Sequence, residues 1–285
     1  MSPASVPDEV ARNICLSEGW TLLGPIGGGS FKRVFRVQNS QQSIFALKIV
    51  AEASPRTSRE VTALRRCNHT NIARLFHVGR HNHHGTSYDY TLEEFLAGGT
   101  LTNRLDEHGF LNDEQVLRLG KNIIGAIMHL ASLGLVHRDI KPDNIMFKED
   151  GVTPVLVDFG LVRDLADISL TQTWAPRGPG TPYFSAPEQL NNQKHLIDWR
   201  TDQFSLGVVL CFARFGIHPF RKDDEPEFSR SVVERVAAHG NRNSRIMGLV
   251  RDSGLVCIEK MTRTWPVERF IVQEQLIRDW SAQRN

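Results

Sequence analysis

Two different spacings of apolar residues divide this chain of 285 residues. Over residues 22–96, apolar positions come in short runs rich in β-branched and aromatic residues, which predicts strands at 22–37 (with a glycine-rich turn), 44–50 and 90–96. Beyond residue 100 they recur every three or four positions, which is typical of helices. That spacing predicts helices at 112–133, 202–215, 227–239, 246–261 and 272–280. Strands therefore concentrate in the first third of the chain and helices in the rest.

The helix predicted over 112–133 has the clearest signals. Asn112 can cap its first turn, Gln115 stands at the capping-box position, and Gly134 follows its last turn. Its apolar stripe, which we assign to the core, consists of Val116, Leu119, Ile123, Ile127 and Leu130. A shorter helix is predicted over 58–67, before a loop and strand that begin near residue 69.

The paired glycines Gly98 and Gly99 mark a flexible connection after the strand at 90–96. We expect a boundary between two lobes here. Clefts between lobes are preferred ligand sites.

Composition excludes several classes of protein. The formal charge of +2 gives no reason to expect binding to nucleic acid or a membrane surface. The longest apolar run, 206–217, contains Arg214 and is too short to span a bilayer, and residues 1–9 do not resemble a secretory signal. The histidines at 81, 83 and 84 are interpreted as a polar hairpin loop rather than a metal site. The widely spaced cysteines match no metal-ligand pattern, and we expect a cytoplasmic protein.

The most informative segments are 137–144 and 158–160. They bring together two carboxylates, Asp139 and Asp158, an amide, Asn144, and an ammonium, Lys141. A short buried strand predicted at 155–157 separates them. Such a set can hold a hydroxyl nucleophile beside a metal-bound phosphate, because phosphoryl transfer depends on positioning and charge neutralisation.

Two further features have both an ordinary and a functional interpretation. The turn at 27–34 is either a common glycine-rich hairpin or a loop whose backbone N–H groups approach phosphate oxygens. Lys48, inside an apolar strand, either points to water from an edge strand or needs an anionic partner. Glu60 lies on the side of its helix that would face the sheet and is the natural partner, although it could also be solvated beside Arg59.

Taken in order, these motifs resemble the eukaryotic-type (Hanks-type) serine/threonine protein kinases over nearly the whole chain. The glycine loop, Phe-Ala-Leu-Lys, the helix glutamate, His-Arg-Asp, Asp-Phe-Gly and Ala-Pro-Glu all occur in the family's order. The resemblance implies an α+β, bilobal fold with a small β-rich N-lobe, a larger helical C-lobe and the active cleft between them. We expect an N-terminal extension at 1–18, a nucleotide-binding N-lobe at 19–96 and a catalytic C-lobe at 97–285.

The resemblance also implies roles for individual residues, with ATP and Mg²⁺ as cofactors and protein Ser/Thr hydroxyls as acceptors. Lys48, paired with Glu60, would contact the α- and β-phosphates. Asp139 would accept or orient the hydroxyl proton, Lys141 would steady the γ-phosphate, and Thr181 would brace both. Mg²⁺ would be held by Asn144 and Asp158. The remaining nucleotide-binding positions would be Ile26, Gly27, Gly29, Phe31, Val34, Ala46 and the backbone at Glu94 and Leu96.

Other implied roles concern geometry and regulation. Glu188 would pair with Arg269, and Asp202 would hold the catalytic loop from below. Arg138 before the catalytic aspartate suggests control by phosphorylation of the long segment after residue 160, which shows no helix or strand period. The candidate phosphosites, which autophosphorylation would modify, are Ser169, Thr171 and Thr173. The oligomeric state is left open.

Three departures from the family pattern stand out. Lys32 replaces the third loop glycine and makes the loop tip bulkier and more cationic. Glu93 occupies the gatekeeper position, where the family usually has an apolar residue or threonine; its carboxylate must pair, with Lys48 for example, or face away. The connection from Lys48 to Glu60 is short, so the helix has lost its first turn or the linker is tight.

Two alternative functions remain. The first is a small-molecule phosphotransferase of related fold, against which the segment from Gly-Thr-Pro to Ala-Pro-Glu argues. The second is a pseudokinase scaffold, against which the presence of Lys48, Asp139, Asn144 and Asp158 argues.

Overall fold

The structure is a computed structural model that describes residues 7–28, 32–51, 55–159, 161–164 and 182–283. Its first part is an antiparallel sheet of five strands in the order β1-β2-β3-β5-β4. The strands are β1 (Thr21–Gly28), β2 (Lys32–Gln38), β3 (Ile44–Ala51), β4 (Leu75–His83) and β5 (Thr86–Glu94). Helix α2 (Pro55–Arg66) lies between β3 and β4 in the chain.

An additional helix, α1 (Asp8–Glu18), precedes the sheet and ends at Gly19, whose φ of 71° permits the left-handed turn. Its buried residues are Val10, Ala11, Ile14 and Cys15. They belong to one apolar cluster with alternate residues of β2, β3 and β5, including Phe35, Val37, Leu47 and Ile49. Since alternate residues of a strand point to opposite faces, α1 covers one face of the sheet and leaves the other for Lys48.

The second part is mainly helical. Its helices are α3 (Leu101–His108), α4 (Asp113–Ser132), α5 (Pro187–Leu190), α6 (Trp199–Phe215), α7 (Arg230–Ala237), α8 (Ser244–Asp252), α9 (Val256–Met261) and α10 (Gln273–Ala282). The core lies between α4 and α6, and the whole stripe predicted on α4 is buried there. The capping box formed by Asn112 and Gln115 is present, as predicted. The α+β, bilobal architecture expected from the sequence is confirmed.

Four short strands position the loop between them. Strand β6 (Leu135–Val136) pairs with β9 (Arg163–Asp164), and β7 (Ile145–Phe147) pairs with β8 (Pro154–Leu156). Residues 137–144 therefore connect strand β6 of the first pair to strand β7 of the second. Residues 157–159 follow directly after β8.

Several predicted boundaries were wrong. The helix predicted over 246–261 is two helices, because Gly254 at φ 69° follows α8 and ends it. Helices α1 and α3 were not predicted. The segment after residue 160, predicted to lack regular structure, contains β9 and a 3-10 turn, Pro182–Phe184. The histidines at 81–84 do lie at a hairpin turn, as predicted: β4 ends at His83 and β5 begins at Thr86.

Candidate active site

The catalytic loop, residues 137–144, is held together around Asp139. Its Oδ2 atom accepts hydrogen bonds from Lys141 Nζ (3.0 Å) and Asn144 Nδ2 (2.8 Å). Asn144 Nδ2 also donates to the Asp139 carbonyl (2.8 Å), and the 3-10 turn Pro142–Asn144 brings the amide back toward the aspartate. The structure therefore places three of the predicted site residues in direct contact.

Asp202, in the first turn of α6, supports this loop from below. Its two carboxylate oxygens accept hydrogen bonds from the backbone N–H groups of His137 (2.7 Å) and Arg138 (2.8 Å). Burial raises the pKa of Asp202 to about 7, against the opposing effect of these two N–H donors. Arg138 has a φ of 70°, and the two hydrogen bonds hold the loop in this uncommon backbone conformation.

His137 is a fully buried, neutral part of the same loop. Its Nδ1 accepts from the Asp139 N–H (3.2 Å), so its Nε2 carries the proton and donates to the Val157 carbonyl (3.2 Å). Burial lowers the pKa of His137 to about 4. Its ring packs edge-on against Phe159, with centroids 4.8 Å apart. His137 therefore ties the catalytic loop to residues 157–159, which contain Asp158.

Asp158 forms an ion pair with Lys32, whose Nζ lies 2.7 Å from its Oδ2. Lys32 begins β2, directly after the glycine loop, so this pair links the loop to the residue expected to hold the metal. Burial would raise the pKa of Asp158, but Lys32 and Lys48 outweigh it and hold that pKa well below its usual range. Asp158 also has a positive φ, 64°.

Lys48 lies between two carboxylates on the face of the sheet opposite α1. Its Nζ is 2.6 Å from Oε2 of Glu93 and 3.4 Å from Oε1 of Glu60. The pair with Glu60 is therefore present, and of the two options left open for Glu93 the structure has the pairing with Lys48. Burial opposes the charge on Lys48, but Glu93, Glu60 and Asp158 together raise its pKa.

These groups form one electrostatic cluster. The charge of Asp158 acts on the pKa of Lys48, Glu60 and Asp139, so Asp158 lies near each of the three. Burial raises the pKa of Asp139, and Lys141 acts against that shift. Asn144 joins this cluster through its hydrogen bonds to Asp139.

The described residues among those expected to contact a nucleotide lie on β1, β2 and β3 and at or just after the end of β5. Ile26 is exposed on β1, Val34 on β2 is partly buried, and Ala46 on β3 is buried. Glu94 donates its backbone N–H to the Arg74 carbonyl (2.9 Å). The following Leu96 is buried.

Close approach of β1 and β2 in the loop requires glycine. A Cβ on Gly28 would lie 2.9 Å from the Lys32 carbonyl oxygen. Neighbouring Gly27 pairs with Val34 in the same ladder. The remaining predicted site residues lie outside the described part of the chain: Gly29, Phe31, Thr181 and the candidate phosphosites Ser169, Thr171 and Thr173.

A buried ion pair holds the C-lobe below the site. Glu188 and Arg269 are both inaccessible to solvent, and their two hydrogen bonds measure 2.7 and 2.9 Å. This is the pairing expected from the sequence. It joins α5 to the turn before α10.

Sequence reasoning missed two contacts at the site. It described Lys32 only as a bulkier, more cationic loop tip and not as a partner of Asp158. It also missed Gln189, which donates to the Arg138 carbonyl (2.6 Å). The position of Lys32 in the glycine loop was a usable signal, since that loop covers the phosphate site in the family the sequence resembles.

Metal-binding clusters and membrane-spanning helices are two other features that could indicate function. In the described ranges, no group of three or more His, Cys, Asp or Glu side chains is arranged to hold a metal ion. Across the same part of the chain, we find no helix with the length and apolar character needed to cross a membrane.

Comparisons with known proteins agree with this geometry. The protein kinase domain family matches residues 20–281. A probable serine/threonine-protein kinase of Clostridium perfringens is 28% identical over 93% of this chain and 38% of its own length. Human calcium/calmodulin-dependent protein kinase type 1B is 29% identical over 93% of this chain and 76% of its own. Myosin light chain kinase A of Dictyostelium discoideum is 29% identical over 73% of this chain and 70% of its own.

The chain therefore spans little more than a third of the clostridial relative and about three quarters of the human one. The family match covers nearly the whole chain, from residue 20, just after α1, to residue 281 in the last turn of α10. The motifs, the bilobal architecture and this match agree, and the chain belongs to the Hanks-type serine/threonine protein kinase family.

Proposed function

We propose that this protein is an ATP- and Mg²⁺-dependent kinase that transfers the γ-phosphoryl group of ATP to Ser and Thr hydroxyls of proteins. One observation carries the proposal: Asp139 is hydrogen-bonded to both Lys141 and Asn144, and the charge of Asp158 acts on both Asp139 and Lys48. This arrangement supplies a base, two cations and two oxygen ligands to one space.

Asp139 is assigned to the substrate hydroxyl. Lys141 and Asn144 fix its Oδ2 atom, and we assign the other oxygen to the hydroxyl proton. Burial raises the pKa of Asp139, which makes its carboxylate a better proton acceptor than an exposed one. Lys141, which pairs with Asp139 in the structure, would steady the γ-phosphate.

Asn144 and Asp158 fit Mg²⁺. Because Nδ2 of Asn144 donates to Asp139, its amide directs the oxygen Oδ1 elsewhere, and a carboxylate with an amide oxygen is the hard donor set that Mg²⁺ prefers. When bound with ATP, Mg²⁺ neutralises phosphate charge. Lys32 pairs with Oδ2 of Asp158, so Lys32 and Mg²⁺ would compete for this carboxylate, and a displaced ammonium would be available to a phosphate.

The N-lobe residues are assigned to the nucleotide. Lys48 would donate to the α- and β-phosphates, and the backbone at Glu94 and Leu96 would bind adenine. The loop and walls of the nucleotide site would be Ile26, Gly27, Gly29, Phe31, Val34 and Ala46. We retain the division into an extension at 1–18, a nucleotide-binding lobe at 19–96 and a catalytic lobe at 97–285.

The proposal also covers regulation by phosphorylation and the cellular location of the protein. Thr181 would brace Asp139, and autophosphorylation would modify Ser169, Thr171 or Thr173, with Arg138 as the partner of the phosphate. We propose a cytoplasmic location because all four cysteines are free thiols, as is usual in reducing compartments.

A transfer assay tests the proposal. The protein is incubated with labelled ATP, Mg²⁺ and a generic basic protein, as wild type and as Asp139→Asn. The matched control is Asp143→Asn, the same change in the same loop, where the exposed Asp143 contacts only Thr102 among the described residues. We expect Asp139→Asn to lower transfer by roughly a hundredfold or more, and the control to stay near wild type.

The other outcomes identify the alternatives. ATP consumption that requires a small alcohol, with no labelled protein, would indicate a small-molecule phosphotransferase. Thermal stabilisation by nucleotide without any transfer would indicate a pseudokinase.

A further inference from the structure

We propose that Glu93 on β5, and not Glu60 on α2, is the principal residue that positions Lys48 for the nucleotide. The consequence is that Lys48 stays in place whatever the position of α2. This inference rests on the proposed function, in which Lys48 binds the phosphates of ATP. Glu93 is a positioning residue in this proposal, because it acts through Lys48.

The distances favour Glu93. Its Oε2 lies 2.6 Å from Lys48 Nζ, whereas Oε1 of Glu60 lies 3.4 Å away. The attraction between opposite charges grows as their distance falls, so the ion pair with Glu93 is the closer and stronger of the two, while the hydrogen bond from Lys48 to Glu60 is long. Thr91 further fixes Glu93 by donating its hydroxyl to Oε1 (2.8 Å).

The sheet determines the position of Glu93 relative to Lys48. Strands β3 and β5 are hydrogen-bonded neighbours, in which Lys48 pairs with Thr91 and Ala46 pairs with Glu93. Glu93 is thus the diagonal neighbour of Lys48 on the same face, and such neighbours are within reach of long side chains. Glu60, in contrast, belongs to a helix outside this ladder, so its distance from Lys48 changes whenever the helix moves.

Burial makes the contact with Glu93 hard to break. Glu93 is 2 % exposed, and a buried carboxylate that loses its cation is strongly destabilised. Lys48 can satisfy Glu93 and still serve the nucleotide, because an ammonium has three N–H donors. One faces the carboxylate of Glu93 in the ion pair, a second donates to Glu60, and we assign the third to a phosphate oxygen.

The charges around Lys48 support the same ranking. The carboxylates of Glu93, Glu60 and Asp158 all raise the pKa of Lys48, and Glu93 contributes most. Burial and the charge of Glu93 raise the pKa of Glu60, while Lys48 and Lys32 lower it. Burial thus disfavours the charge on Glu60, the carboxylate that lies farther from the lysine.

The direct test compares Glu93→Gln with Glu60→Gln, two isosteric changes that each remove one charge. The readout is the rate at which an N-hydroxysuccinimide ester acetylates Lys48 near pH 9, measured by peptide mass spectrometry relative to the exposed Lys121. Only the neutral amine reacts, and one unit of pKa changes its population about tenfold. We expect Glu93→Gln to accelerate the labelling of Lys48 about tenfold or more and Glu60→Gln by less than about threefold.

Kinetics provide the second readout. Misplacing a group that contacts the substrate costs up to about a hundredfold, so we expect kcat/KM for ATP to fall by roughly tenfold to a hundredfold in Glu93→Gln. The loss in Glu60→Gln should be several times smaller. If Glu93→Gln does not fold, as judged by its thermal unfolding, the matched pair Glu93→Asp and Glu60→Asp replaces the glutamine variants. Both charges are then retained, and the loss of kcat/KM should again be larger in the Glu93 variant than in the Glu60 variant.

Equal labelling rates of Lys48 in Glu93→Gln and wild type would overturn the inference, as would a larger effect of Glu60→Gln in either readout. The labelling test needs neither nucleotide nor activity. A wild-type protein that transfers no phosphate would therefore overturn the proposed function, while the labelling rates would still decide which carboxylate positions Lys48.

Discussion

Replacement of Arg269 by methionine should destabilise the protein more than almost any other single change. The guanidinium has no solvent exposure and uses all of its N–H groups. It makes two bonds to Glu188 and donates to the carbonyls of Arg200 (2.8 Å), Thr264 (3.1 Å) and Arg263 (2.8 Å). Methionine occupies a similar volume, so the loss of stability measures the contribution of the charge and its hydrogen bonds.

The expected magnitude follows from what Arg269→Met leaves behind. Glu188 would remain a buried carboxylate whose described partner is the Thr201 hydroxyl (2.9 Å), and breaking a buried ion pair on one side costs about 3–5 kcal/mol. The double variant Glu188→Gln with Arg269→Met removes both charges. We expect it to be more stable than Arg269→Met alone, because no unpaired ion is left.

Urea unfolding measured by fluorescence, with linear extrapolation to water, gives these free energies. Arg278→Met is the control: Arg278 is exposed and pairs with its neighbour Asp279, so its loss should change stability by about 0.5 kcal/mol or less. A loss below about 1 kcal/mol for Arg269→Met, or a double variant less stable than the single one, would refute the reasoning.

Three further predictions follow from other contacts. Lys32→Ala should lower the Mg²⁺ concentration for half-maximal transfer about two- to fivefold, since a half-exposed pair is weak; an unchanged or higher value in a magnesium titration would contradict this. His218 is buried and its pKa is lowered to about 3, so its contribution to stability is complete above pH 6.5 and lost as the pH falls toward 3. His218→Gln should flatten that part of the stability–pH curve, and the exposed His108→Gln should not. In Gly120→Ala the new Cβ would lie 2.0 Å from Trp280, which should cost about 1–3 kcal/mol in urea unfolding; an unchanged midpoint would exclude this clash.

Local signals in the sequence were sufficient for much of the fold. The capping box at Asn112 and the stripe on α4 identified that helix to within a residue at either end. The helix α1 was missed although Val10, Ala11, Ile14 and Cys15 have helical spacing, because residues 1–18 were treated only as an N-terminal extension. In 246–261, apolar spacing continued across Gly254 and concealed the break that its backbone conformation introduces.

The site was predictable as a set of residues, but the contacts within it were not. The partner of Glu93 depends on the register of β3 against β5, which no local pattern specifies. Lys32 and Asp158 are separated by 126 positions in the chain, and only the closing of one lobe over the other brings them together. Contacts within the catalytic loop, such as Asp139 with Asn144, span few residues and were easier to anticipate.

The helix α1 makes the folding unit longer than the family unit. The family match begins at residue 20, yet Val10 and Ile14 are completely buried against the sheet, and burying such a side chain contributes about 1.5–3 kcal/mol. Tyr90 also anchors the end of the helix by donating its hydroxyl to Glu18 (2.6 Å). A protein truncated at the family boundary would expose to water an apolar surface that includes Phe35, Val37 and their neighbours. Recombinant versions should therefore begin ahead of residue 8, and those that begin at residue 20 should aggregate.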